Sequence, residues 1–498
     1  MLPSSLLGTF LSAGVTGIVA PGALGKAVLH LSDMPAPIEG MSKLARNARE
    51  YGRSIMSSKH ALGTAGSARA GGLGHSPVSA VRVRHRIGLS HNLFAMLDML
   101  EPTRPSCIMN GISAGDYPSR FLRDDGRRTA TTNERVLLDL LSRQGPASRA
   151  DLARLTGLAP HSITRLVEPL LSRGLIAEGV PVAQGRGKPS SALRLVGSAA
   201  FSIGLSVMTD AVSLTLLNLA GTIAATHTER LEDTAIAPAC RQIGRLIDTA
   251  VAEAGWDRAA LVGIGVGVTG YFIGNGARLN PPQLLDPWAL VPLDTILAEA
   301  FGAKVWVDND GNVAAIGEDM LGHGRTTRDF AYLYFSAGFG GGVVATGRSL
   351  RGRHGNAGEF ASILPIDWPQ PNLETLRHSF VETGLAFPDI QAMLDGFDPH
   401  HPAVDRWLDT VMPSLNLVAS AISATLDPGM IVLGGRIPPA LAQRIVGRIS
   451  FTNPERRGFH RPAPQIVVSA VGDDATAIGA ATLPLRAAFF DRDGGAER

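Results

Sequence analysis

The chain has 498 residues, 45% of them hydrophobic and 18% charged, with a formal net charge of +2; this length excludes a single core and predicts two or three domains. Its two cysteines, Cys107 and Cys240, exclude a disulfide framework and a multi-cysteine metal site, and fit the reducing cytoplasm. Residues 1–126 carry 13 basic and 8 acidic side chains, residues 127–194 carry 11 and 5, and residues 195–498 carry 22 and 31, so a short basic segment suited to nucleic acid precedes a long acidic one that is not.

The opening MLPSSLLGTFLSAGVTGIVAPGALGKAVLH is apolar, but no Lys or Arg precedes it. Gly and Pro interrupt it before the roughly 20 apolar residues that a spanning helix needs, so neither a leader nor a membrane anchor is expected. The following SSKHALGTAGSARAGGLGHS has no helical or strand period, and residues 1–126 read as a disordered extension. An internal translation start at Met96 or Met109 is a further expectation.

From Thr131 the pattern sharpens. Val136, Leu137, Leu140 and Leu141 define one helical face, and Gln144-Gly145-Pro146 ends that helix. Ser148 is expected to cap a second helix, with Asp151 completing a capping box and Leu152 and Leu155 pointing inward. A third helix starts near Pro160 with a buried stripe of Ile163, Leu166, Val167, Leu170 and Leu171; Pro169 inside it predicts a bend or an early end. The outward His161, Ser162, Thr164 and Arg165 sit where a recognition helix meets base edges and phosphates, although for any one of them a solvated face is an equally good reading. GLIAEGVPVAQGRGKPSSALRLV then reads as a winged hairpin whose tip offers Arg186, Gly187 and Lys188 to a groove. The candidate DNA-binding set is Ser148, Arg149, His161, Ser162, Thr164, Arg165, Arg186, Gly187 and Lys188.

After the wing, strands and helices alternate: FSIGLSVMTDAVSLTLLNLAGTIAATHTER as successive strands, ALVGIGVGVTGYF and AKVWVDND as further strands, and Leu293 to Phe301 as a helix between them. FAYLYFSAGFGGGVVATGRSL and GMIVLGGRI each run a strand into a Gly-rich turn. Two α/β lobes around a cleft follow from such parts.

The motifs SRADLARLTGLAPHSITRLV, GRGKP, VDNDGNVAAIGE, SAGFGGGVV, GNAGEF, LDPGMIVLGG and DDATAIGAA, in this order from about Thr131 to Leu485, resemble the repressor, open-reading-frame and kinase (ROK) family. The likeness is to its transcriptional-regulator branch, that of the xylose and N-acetylglucosamine repressors. The resemblance implies an α/β fold class: an N-terminal winged helix-turn-helix followed by a two-lobed, actin-like, sugar-kinase-like ATPase fold. The implied domains are a disordered extension at 1–126, a winged helix-turn-helix at 127–196, a ROK domain in two lobes at 197–490 and a disordered tail at 491–498. A homodimer or homotetramer is also implied.

The same resemblance separates chemistry that is kept from chemistry that is lost. ROK kinases carry an Asp, paired Gly residues and a Thr in the loop after the first strand. GLSVMTD (204–210) has Ser206 at the Asp position and Met208 and Thr209 at the Gly pair, which obstructs phosphate approach and removes a magnesium partner. SAGFGGG (336–342) remains Gly-rich, a weak phosphate signal by itself. The family's zinc site is expected to be absent, since Ser362 replaces its His, Asn372 its last Cys, and no Cys follows Cys240. Asp310 matches the family's general base, Asn309 the residue that orients the sugar, and Glu359 and Glu374 two further sugar contacts. The alternative is structural: Asp310 caps a helix starting near Asn312 while Glu359 pairs with Arg351 or Arg353.

The resulting expectation is a DNA-binding repressor of carbohydrate metabolism, with a double-stranded operator and a small sugar as partners, no cofactor, no metal, no membrane and no enzymatic activity. Sugar closing the two lobes would shift the winged helices. Two readings compete: a sugar kinase with an appended DNA-binding domain, and a dimerisation scaffold without a ligand.

Overall fold

The structure is a computed structural model and describes residues 129–179, 191–274, 278–472 and 474–490. The extension at 1–126, the wing tip with Arg186, Gly187 and Lys188, and the tail at 491–498 lie outside the described residues.

The first described elements are three helices, α1 (Thr132–Gln144), α2 (Arg149–Thr156) and α3 (Pro160–Ser172), then strands β1 (Ile176–Glu178) and β2 (Leu193–Leu195), paired antiparallel with Ile176 opposite Leu195. Helix α1 opens on a capping box between Thr131 and Glu134, and α2 on one between Ser148 and Asp151. Gly157 ends α2 in the left-handed conformation that a side chain would disfavour. The core of this segment comprises Leu137, Leu138, Leu141, Leu152, Ile163, Val167 and Leu170. One expectation is corrected. Leu155 is exposed, because α2 has only two turns and presents a single apolar side chain, Leu152, to the core. Helix α3 runs through Pro169 and ends three residues later at Ser172, where the Arg173 amide donates to the Pro169 carbonyl.

Two five-stranded sheets follow, built on one plan. The first has the order β5-β4-β3-β6-β9, from β3 (Phe201–Val207), β4 (Ala211–Asn218), β5 (Ile223–Arg230), β6 (Leu261–Val268) and β9 (Val305–Asn309). Strands β3, β4 and β5 form an antiparallel meander, while β3, β6 and β9 run parallel. A small hairpin of β7 (Tyr271–Ile273) and β8 (Arg278–Asn280) follows β6. Helices α4 (Ile236–Ala254) and α5 (Leu293–Phe301) supply Ile243, Leu246, Ile247, Leu293 and Leu297 to the core on the outer side of this sheet.

The second sheet has the order β12-β11-β10-β13-β14, from β10 (Phe330–Phe335), β11 (Phe339–Ala345), β12 (Arg348–Ser349), β13 (Met430–Gly435) and β14 (Gln465–Val468). It repeats the meander and the parallel pair. Its core is closed by α7 (Leu373–Glu382), α8 (Ile390–Asp395), the 25-residue α9 (Pro402–Leu426) and α10 (Pro439–Val446).

Helices α6 (Asp310–Leu321) and α11 (Ala475–Leu485) lie between the sheets. Each leaves a strand of one sheet and packs on the other. The chain passes this close only because glycines line the contact: a Cβ on Gly204 or Gly265 would sit 1.8 Å or 1.9 Å from carbonyl oxygens of α11. Among the described residues, no helix is long and apolar enough to cross a membrane.

Candidate functional site

The end of β9 and the start of α6 place the candidate sugar residues. Asn309 caps α6: its Oδ1 accepts from the Asn312 amide at 3.0 Å, and its Nδ2 donates to the Gly270 carbonyl at 2.6 Å. The helix therefore starts at Asp310 rather than near Asn312, and the cap is Asn309. Asp310 is left free of that duty. Its Oδ2 accepts from the Thr269 hydroxyl at 2.8 Å and its Oδ1 from the adjacent Gly311 amide at 2.9 Å. Burial pushes its carboxyl up to about 7; the two hydrogen bonds pull the other way, and the nearby Glu359 charge adds to the rise.

Glu359 approaches from the second sheet's side, at the end of the loop after β12. Burial raises its pKa as well. Arg351 does not serve it. That guanidinium pairs with the buried Asp308, one position ahead of the cap, and stands 5.5 Å from the centre of the Phe272 ring. The loop is also docked by Asn356, whose side chain accepts from the Phe272 amide at 2.7 Å and donates to its carbonyl at 2.8 Å, as a strand neighbour would. A buried acid, Asp310, and a partly buried one, Glu359, thus face each other electrostatically, with hydroxyl and amide donors around Asp310. This arrangement suits a neutral ligand with several hydroxyl donors.

Glu374 is engaged elsewhere. It stands in the first turn of α7, bonded to Arg377 (3.1 Å) and 3.4 Å from His378, and Arg377 holds its carboxyl below the usual range. The structure therefore brings Asn309, Asp310 and Glu359 together and gives Glu374 basic partners of its own. At the positions of the family's zinc ligands, Ser362 is exposed and Asn372 caps α7 by accepting from the Thr375 amide; neither is a thiolate, and these side chains do not fit the zinc. Among the described residues, no cluster of His, Cys, Asp or Glu is placed to hold a metal ion.

The turn after β3 is where sequence reasoning missed two residues. Ser206 and Met208 are buried, and Asp210 forms a two-pronged ion pair with Arg436 at 2.7 and 3.2 Å, both side chains nearly inaccessible. Gln391 completes the set, donating its amide to Asp210 and accepting from Arg436. Arg230 pairs with Asp389 nearby in the chain of contacts. The only sequence signal was an Arg directly after Gly434-Gly435, a turn that otherwise reads as a simple strand end. In SAGFGGG, Gly341 and Gly342 are taken up by packing, since a Cβ on either would strike Tyr332, Ala315 or the α6 backbone.

In the N-terminal segment, His161, Thr164 and Arg165 are exposed on α3 and Ser162 is half-buried beside them. Ser148 is committed to its cap, bonded to Asp151. Arg149 is drawn to Glu178 (2.7 Å) and Glu168 (3.7 Å).

With this geometry in place, four likenesses to known proteins can be stated. The ROK family pattern matches residues 202–370. An uncharacterized protein, y4fQ of Sinorhizobium fredii, is 30% identical over 363 residues, covering 72% of this chain and 92% of that protein. The xylose repressor of Bacillus spizizenii is 28% identical over 242 residues, 48% of this chain and 62% of the repressor. Among solved structures, a ROK family transcriptional regulator described as a homologue of Escherichia coli MLC superposes with a TM-score of 0.50 at 20% identity, covering 73% of this chain and 98% of that one; at that identity the likeness is one of fold.

Proposed function

The chain belongs to the ROK family, and from that premise we propose that it is a sugar-responsive DNA-binding regulator, a repressor of carbohydrate genes, whose ROK domain binds sugar without phosphorylating it. The reading assigns residues 127–196 to DNA, as a winged helix-turn-helix, and residues 197–490 to sensing. One contrast carries it. The hydroxyl-binding acids, Asp310 buried and Glu359 partly buried, have no basic side chain among the causes of their raised pKa values, whereas the turn that would cradle phosphates is filled by Met208 and tied shut by Asp210 and Arg436. Phosphoryl transfer needs open backbone around the phosphates and a place for magnesium; sugar binding needs only the first half.

A dimer or tetramer would hold two α3 helices at half-sites one DNA turn, about 34 Å, apart. Sugar weakens operator binding to the extent that it prefers one arrangement of the protein over the other. The cytoplasm is the compartment this reading requires.

The test is a titration of D-glucose, D-xylose and N-acetyl-D-glucosamine into the full chain bound to a duplex that the chain itself enriches from a random pool. At least one sugar is expected to release the duplex, and the same sugars with ATP are expected to yield no ADP. Insensitivity to every aldose would sink the sensing half, and ADP release would restore the kinase.

A further inference from the structure

The far end of α6 is held by the segment to which DNA binding is assigned. Asp319, buried in the last turn of α6, accepts from Nη2 of Arg143 in α1 at 3.1 Å, and Nη1 of Arg486, just past α11, lies 3.5 Å away. Arg143 also donates to the backbone carbonyls of Asp319 (3.1 Å) and Gly324 (3.0 Å). Arg325 returns the grip, donating to the carbonyls of Ser142 and Arg143 at 3.1 and 3.0 Å. Each side thus caps the other's helix end, and the Ala130 amide adds a bond to the Ala488 carbonyl beyond α11.

The opposite end of the same helix is Asn309 and Asp310. Nine residues, about 13 Å along the axis, separate Asp310 from Asp319, and every residue from Asp310 to Met320 is buried. Such a helix moves as one body. Its closest approach to α11 is backbone on backbone, Gly317 against Gly479, where a Cβ on Gly317 would meet the Gly479 Cα at 2.7 Å; the Thr476 hydroxyl of α11 lies 3.4 Å from the Asp310 carbonyl, so the two helices are in direct register at the Asp310 end. The lobes themselves are tied at the phosphate turn by Asp210–Arg436 and by Arg230–Asp389. A wide rocking of the lobes would break both pairs, whereas a shift of α6 breaks neither.

We propose that Asp319 is a positioning residue: α6 carries the state of the Asp310 end to Asp319, and the Asp319–Arg143 clasp sets the orientation in which the N-terminal segment is presented. The inference rests on the DNA-binding reading for its biological meaning, but its physical content is a coupling between the two ends of one helix.

Four full-length proteins test it: wild type, Asp310→Asn, Asp319→Asn and the double variant. Asp310→Asn is expected to change affinity for the enriched duplex by about threefold or more when Asp319 is present, and by less than about 1.5-fold when it is Asn. Arg143→Gln, which removes the clasp from the other side, gives the same cancellation and serves should Asp319→Asn fold poorly. Asp319→Glu, which keeps the charge, retains the response. An Asp310→Asn effect of equal size with and without the clasp overturns the proposal. If the wild type enriches no duplex, it is the DNA-binding reading that has failed. Hydrogen exchange of residues 132–144 then decides the coupling by itself: protection must respond to Asp310→Asn only where Asp319 and Arg143 are intact, and a response indifferent to the clasp, or none at all, refutes it.

Discussion

Asp310 is a carboxyl whose surroundings favour the proton. Folding raises its pKa from 3.8 to about 7, chiefly by burial, so the folded chain holds a proton that the unfolded chain has released across that window, and stability falls as pH rises from about 4 to about 7. Asp310→Asn keeps the shape and removes the charge. Urea unfolding should show the variant more stable than wild type at pH 8, by on the order of 2 to 4 kcal/mol, with the advantage shrinking towards pH 4. An equal difference at both pH values would mean that the charge is not the cause. At this scale the sequence put forward Asn309, Asp310 and Glu359 as candidates, because each sits in a motif that resembles the ROK family's. It did not separate the helix cap from the free acid: that depended on where Gly270 and Thr269, some 40 residues away, come to lie.

Among elements, α3 shows most clearly what periodicity conveys. Its inward stripe was legible from 3.6-residue spacing, and the same spacing left His161, Thr164 and Arg165 outward. The neighbouring arginine in α2 looked equivalent in the sequence but is occupied: Arg149 spans Glu178 and Glu168, contributed by β1 and by α3. Arg165→Ala is therefore expected to weaken duplex binding by about 1 to 3 kcal/mol. Arg149→Ala, which forfeits exposed ion pairs as well as any contact to DNA, should cost less than about 1 kcal/mol of affinity. Fluorescence anisotropy at two salt concentrations distinguishes the two, and an Arg149 effect as large as that of Arg165 would contradict the assignment. The failed expectation for Leu155 belongs here too: a two-turn helix has too short an inner face for a second apolar anchor.

From Phe201 onward the described residues form a pair of like-built sheets with α6 and α11 between them, tied at one end by Asp210–Arg436 and at the other to the helices α1–α3 by Arg143–Asp319. Removing one partner of a nearly inaccessible ion pair leaves the other charge buried alone. Arg436→Met should thus lower stability by about 3 to 5 kcal/mol, and adding Asp210→Leu should recover much of it. Thermal or urea unfolding checks both; a neutral Arg436→Met would show that the pair is solvated and does not tie the lobes. The sequence by itself determined the order of elements, the segregation of basic from acidic segments and the family, because periodicity, turn chemistry and motif spacing act over a few residues. The tertiary structure decided which charges meet. Arg436 lies 226 residues from Asp210 and Arg143 lies 176 from Asp319. An ion pair formed across such separations leaves no local signature, since an arginine that will be buried against its partner is spelled the same way as one that will stay in water.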